Sequence, residues 1–269
     1  MDNSLILNFG DSQAEVFDYI FYNNVNYKKY INNESPGWRS GWSLRGLNKP
    51  EYHNILFNSL YDISLNIKNV FIFLTFGSVD IEWNLSYKRY ILKENPDTNI
   101  FIDEMISSFT NIINKYILLE QEIRKIRKIN FNLIITFPFI PLPLSENYME
   151  NFSNNTQTLY YQVNPHHERF YLWYIYCNKL IDIIENYKYK KIHIIDLRND
   201  FIKKGFQHFM NKNCEDHHPN FLITKEYIIN KLNNINFIND YDIPNYFIKL
   251  KTKPWIHNYL YPHIRRPLK

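Results

Sequence analysis

The sequence predicts an α/β domain built on a parallel sheet. Three observations point to it. Short apolar runs alternate with longer segments of helical periodicity along most of the chain. The runs are continuous rather than alternating, as strands covered on both faces must be. Polar turns directly follow the runs, and several of the scarce glycines stand in them.

The elements follow in order. Leu5–Phe9 reads as a buried strand ended by Gly10, and a helical pattern follows from Ser12 to about Tyr22 through Val16, Phe17, Tyr19 and Ile20. A loop rich in Asn, Ser, Pro and Gly extends to about Ser43. Pro50 suits a first helical turn, opening a helix to about Ile67. Val70–Phe76 is the next strand. Asp103 to about Lys128 is a long amphipathic helix with the stripe Ile106, Phe109, Ile113, Tyr116, Ile117, Ile123 and Ile126. Phe131–Phe137 is a strand cut by Pro138, Pro141 and Pro143. A polar stretch from Ser145 to Pro165 reads as a surface loop or lid. A helix over 167–187, a strand over Lys191–Leu197 and a last helix over Thr224–Leu232 complete the pattern. Right-handed crossovers place the loops after the strands on one edge of the sheet. The expectation is a three-layer α/β/α domain over residues 1–235. Residues 236–269, rich in Pro and aromatics, form an irregular arm packed on it.

Composition limits the function. The 269 residues carry a net charge of +4 with no long basic run, which argues against a nucleic-acid partner. No apolar run approaches the roughly 20 residues of a membrane span. Cys177 and Cys214 lack metal-ligand spacing, so neither a metal nor another cofactor is expected. Two lone thiols and no visible leader suggest a cytoplasmic protein. Asn, Ile, Tyr and Lys are abundant while Ala occurs once, at Ala14. That bias suits an AT-rich genome, such as a giant virus or an AT-rich microbe. It also makes Gly10, Gly41, Gly46 and Gly77 informative, since each stands beside a motif.

Four clusters carry chemistry. The first, Phe9-Gly10-Asp11-Ser12-Gln13, lies at a strand-to-helix turn, where backbone N–H groups and the helix dipole favour developing negative charge. A serine there equally serves as a helix cap. The second is Gly41-Trp42-Ser43-Leu44-Arg45-Gly46, whose glycines let the backbone approach a substrate. The third is Phe76-Gly77-Ser78-Val79-Asp80, directly after a strand. The fourth is Glu215-Asp216-His217-His218-Pro219, just before the last helix. A histidine there reaches a serine on the same sheet edge, and an adjacent acid orients its ring.

Together these blocks resemble the SGNH (GDSL-like) hydrolases and acyltransferases, whose fold is flavodoxin-like. Gly10-Asp11-Ser12 is similar to the family's nucleophile turn, and Gly46 to its second-block glycine. Gly77–Asp80 resembles Gly-x-Asn-Asp, and Asp216–Pro219 resembles Asp-x-x-His-Pro. The likeness is strongest to a subgroup associated with surface-polysaccharide genes.

The resemblance implies Ser12 as nucleophile, His218 as base and Asp216 as the acid, with Glu215 as alternative acid and His217 as alternative base. Pro219 favours His218. It also implies an oxyanion hole from the N–H groups of Ser12 and Gly46. The family's asparagine donor is replaced by Val79, so the hole rests on those two N–H groups, or Asn84 or Ser43 supplies the third bond. The implied substrate is a small-molecule or glycan ester, an acetylated carbohydrate above all, contacted by Trp42, Trp83 and Arg45. The implied activity is that of an esterase, acetylesterase or O-acetyltransferase. A non-catalytic glycan binder on the same fold is the alternative. Oligomeric state is not legible.

Overall fold

A computed structural model describes residues 4–21, 27–28, 30–32, 35–36, 41–49, 57–58, 60, 63, 66–145, 148, 163–187, 191–211 and 217–235. Five strands form one parallel sheet: β1 (Ser4–Gly10), β2 (Tyr27–Lys28), β5 (Asn69–Thr75), β6 (Asn130–Thr136) and β7 (Ile192–Ile195). Their order is β2-β1-β5-β6-β7. Two short strands, β3 (Tyr30–Asn32) and β4 (Ser35–Pro36), pair antiparallel inside the segment expected to be loop. Strands this short are too brief to show a side-chain period, which is why the sequence pattern misses them.

The chain leaves β1 toward one edge of the sheet and later returns through β5 to build toward the other. The order therefore reverses between β1 and β5, and such a switch point opens a crevice at the carboxyl ends of the strands. The register places that crevice on a level lip. Gly10 lies opposite Thr75, Thr75 opposite Thr136, and Thr136 opposite Ile195, so four strands end in one row.

Helices cover both faces. They are α1 (Val16–Phe21), α2 (Leu85–Tyr90), α3 (Thr98–Ile126), α4 (His166–Asn186), α5 (Arg198–Lys204), α6 (Phe206–Phe209) and α7 (Phe221–Asn234). Helix α1 packs beside α7, and α3 beside α4. Phe73 of β5 meets Phe17 of α1 with ring centroids 4.6 Å apart. Phe131 of β6, paired with Val70, meets Tyr116 of α3 at 6.4 Å. Val70 and Phe73 are three residues apart, so they point to opposite faces. The two helix pairs thus sandwich the sheet, and the α/β/α architecture follows.

Caps explain where helices start. Asp97 accepts hydrogen bonds from the N–H groups of Asn99 and Ile100, so α3 begins at Thr98, five residues before the expected Asp103. Asn220 does the same for Leu222 and Ile223 and starts α7 at Phe221. The short helices α2, α5 and α6 escape the periodicity test. Gly205, at φ +80°, makes the break between α5 and α6. Most of the helix expected over 50–67 and of the loop over 145–165 lies outside the described residues, as do the arm over 236–269 and Cys214; Phe57, Asn58 and Leu60 are helical. Cys177 is a free, buried thiol that burial holds well above its ordinary range.

Gly10 closes β1 where nothing larger fits. A Cβ there would lie 2.4 Å from the Thr75 carbonyl oxygen and 2.5 Å from the Ala14 Cβ, neither of which can swing aside. Gly10→Ala is expected to lower stability by about 1–3 kcal/mol, read as a drop in the urea midpoint with an unchanged m-value.

Candidate active site

The site begins where β1 stops. Asp11 N–H donates to the Thr75 carbonyl at 3.0 Å, which fixes the turn to the next strand. The Asp11 carboxylate accepts the Gln13 N–H at 2.9 Å and caps a single 3₁₀ turn, Ser12–Glu15. Ser12 is thereby held at the amino end of that turn, over the lip. Gln13 reaches the other way: its Oε1 accepts the Phe139 N–H at 2.7 Å, tying the turn to the chain leaving β6.

Asp11 also reaches β5's exit. Its second oxygen accepts both the Ser78 hydroxyl at 2.7 Å and the Ser78 N–H at 3.1 Å. The carboxyl is fully buried. Burial pushes its pKa up to about 6; the bonds from Ser78 and Gln13 and the charge of His218 hold it from going higher.

His218 meets the Ser12 turn. Its Nε2 lies 2.5 Å from Ser12 Oγ, a hydrogen bond spanning 206 positions of sequence, and both residues are buried. The loop is pinned on each side. Asn211 Nδ2 donates to the His218 carbonyl at 3.1 Å, and Asn220 N–H donates to the Phe209 carbonyl at 2.6 Å. His217, the alternative base, faces elsewhere. Its Nδ1 is 2.6 Å from the Tyr148 hydroxyl and its Nε2 is 4.0 Å from Glu82 Oε2. Both sequence candidates for the acid, Asp216 and Glu215, lie outside the described residues.

The third block turns sharply. Gly77 has φ +112°, and the Tyr176 ring lies against it, 3.2 Å from where a Cβ would sit. Val79 then leads into a π-helical turn, Asp80–Asn84, that continues as α2. Asp80 is fully buried and binds the second block: it accepts the Leu44 N–H at 2.6 Å and the Asn84 amide N–H at 3.0 Å. Burial raises its pKa to about 6 as well, and the nearby Asp11 adds to the rise.

The remaining sequence candidates divide. Among the described residues the Ser12 N–H meets no backbone acceptor. The Gly46 N–H donates to Ser43 Oγ at 2.9 Å, which leaves the Ser43 hydroxyl hydrogen to donate elsewhere. Asn84 has committed one N–H to Asp80. Trp42 is buried and stacks on Phe76, with centroids 6.3 Å apart. Arg45 turns to α3, pairing with Glu104 at 2.8 Å and lying 4.7 Å over the Phe101 ring. Trp83 is half-buried and meets His217 edge-on at 5.3 Å. Sequence reasoning missed the structural work of Asp11, Ser78, Glu82 and Tyr148. Asp11 and Ser78 stood inside recognised motifs; Tyr148 had no local signal.

No family model matches the sequence, and no curated protein matches it. Among solved structures the chain is similar to a lipase/acylhydrolase from Enterococcus faecalis, at 11% identity and a TM-score of 0.44, over 86% of this chain and 96% of that one. It is also similar to a carbohydrate esterase family 3 from Talaromyces cellulolyticus, at 14% identity and a TM-score of 0.47, over 89% and 99% of the two chains.

The raised pKa values carry a sign. Asp11 and Asp80 titrate near 6 in the folded chain against an ordinary 3.8, so the folded state holds their protons more tightly than the unfolded one. Each therefore withdraws stability as pH rises from 3.8 through about 6. Ser78→Ala removes a bond that favours the charged carboxylate. The Asp11 carboxyl is expected to titrate above 6 in that variant, followed by carbon NMR, and the variant's loss of stability is expected to be greater at pH 8 than at pH 4.

Proposed function

We propose that this chain is a serine-dependent carboxyl-ester hydrolase or O-acyltransferase of the SGNH type, acting on an acylated, above all acetylated, carbohydrate. The observation that carries the reading is the 2.5 Å approach of His218 Nε2 to Ser12 Oγ, at the lip of a sheet's switch point.

In this mechanism Ser12 Oγ attacks the ester carbonyl while His218 Nε2 takes the hydroxyl proton. The tetrahedral oxyanion forms beside the Ser12 N–H, at the start of the 3₁₀ turn. The Ser43 hydroxyl, oriented by the Gly46 N–H, is the proposed second donor, in place of the amide that Val79 lacks. Charge arises on the imidazole as it takes the proton, and the buried Asp11 carboxylate stands close enough to favour it. Asp216, or Glu215, is the proposed orienting acid. His218 then returns the proton to the leaving alcohol. Water completes hydrolysis of the acyl-enzyme; a sugar hydroxyl completes transfer.

A non-catalytic carbohydrate binder is the second reading. It is favoured by Val79 at the donor position and by the Gly46 N–H being bound to Ser43. A serine-directed phosphonate separates the two, since a binder leaves Ser12 unlabelled. Among the described residues no helix is long and apolar enough to cross a membrane.

Ser12→Ala and His218→Ala are each expected to lower acetate release from acetylated sugars by about 10³-fold or more, with the double variant no worse than either single one. Equal turnover by Ser12→Ala and the wild type ends the catalytic reading.

A further inference from the structure

The His218 ring must keep one orientation for Nε2 to stay on Ser12 Oγ. A rotation about its outer side-chain bond moves that nitrogen away. The structure packs the ring on two sides. Phe221, the first residue of α7, has its centroid 5.7 Å away, and His217 is much closer, at 3.8 Å with the planes inclined by 40°.

His217 is itself tethered through one nitrogen and faces a carboxylate with the other. Its Nδ1 is hydrogen-bonded to the Tyr148 hydroxyl at 2.6 Å, and its Nε2 faces Glu82 Oε2 at 4.0 Å. The Trp83 edge closes a further side at 5.3 Å. Tyr148 lies beyond β6, and Glu82 and Trp83 lie in the π turn that follows β5. Two separate parts of the chain thus converge on the histidine next to His218. The residue is buried, so its ring nitrogens are under pressure to find polar partners within the protein.

We propose that His217 is a positioning residue, which locks the His218 ring in its productive orientation and is locked in turn by Tyr148 and Glu82. The proposal rests on the Ser12–His218 reading. It assigns the second histidine of the pair a role distinct from that of an alternative base. A neutral ring protonated at Nε2 suits both neighbours: Nε2–H points toward the Glu82 carboxylate, and Nδ1 accepts the Tyr148 O–H.

The test is hydrolysis of p-nitrophenyl acetate by wild type, His217→Ala, Tyr148→Phe and Ser12→Ala. Loss of orientation acts on the chemical step. His217→Ala is expected to lower kcat by about 10- to 100-fold, with KM within about 2-fold of wild type. Tyr148→Phe is expected to lower kcat by about 3- to 10-fold, again with KM kept, because the ring remains and only its tether is cut. The His218 ring resonances in a nitrogen NMR spectrum, sharp in the wild type, are expected to broaden in both variants. A role confined to stability lowers the melting temperature and leaves those ring resonances and the kcat of the folded fraction unchanged.

A wild-type kcat in His217→Ala overturns the proposal, and so does a loss that falls on KM alone. Should His217→Ala fail to fold, Tyr148→Phe decides on the same criteria. An active Ser12→Ala sinks the hydrolase reading itself. An inactive Ser12→Ala beside a fully active His217→Ala sinks only the role given to His217.

Discussion

The carboxyl group of Asp11 is the joint on which the site depends. Three N–H or O–H donors converge on it, from Gln13 in its own turn and from Ser78 after the neighbouring strand. One of these bonds starts the 3₁₀ turn that presents Ser12; the others hold the β5 exit against the β1 exit. Asp80 repeats the device one step further out, fastening Leu44 of the second block to the third. Two buried acids thus connect three loops that share no regular secondary structure with one another. Without them each loop would be free to move relative to the lip. Burying an acid is unfavourable to its charged form, and the raised pKa of both groups records that tension.

Much of the fold was legible in the sequence because a doubly covered parallel sheet writes itself as continuous apolar runs. β1, β5 and β6 each fall within a residue or two of the expected strands, and the long helices α3 and α4 follow from their period. What was not legible has a physical reason in each case. The strands of the β3–β4 ribbon are three and two residues long, too short to write a period into the sequence. The early starts of α3 and α7 come from Asp97 and Asn220, whose caps lie outside the apolar stripe. The two-turn helix α2 grows from a π turn, which no simple periodicity marks.

The candidate site was legible in its residue types and less so in its connections. Gly10, Ser12, Gly77 and His218 stood out because each sits where a strand ends or a helix begins, and the structure places Ser12 and His218 in direct contact. The partners that organise them did not stand out. Ser78 is an ordinary serine until the register of β1 and β5 brings it against Asp11. Tyr148 is one of 22 tyrosines and acquires a role only because the chain beyond β6 folds back over His217. Arg45, attractive as a charged loop residue, is spent on Glu104 of α3.

The 206-position span between the hydroxyl and the imidazole that meets it has a temporal meaning. A polypeptide emerging from the ribosome exposes its Ser12 turn early, yet that turn cannot gain its long-range partners until most of the remaining chain has been made. β1 must wait for β5 to supply the Thr75 carbonyl and Ser78, and His218 arrives only with the loop ahead of α7. Nascent fragments therefore carry Ser12 without the imidazole beside it, and the pair comes together only as a late event of biosynthesis, coupled to completion of the sheet.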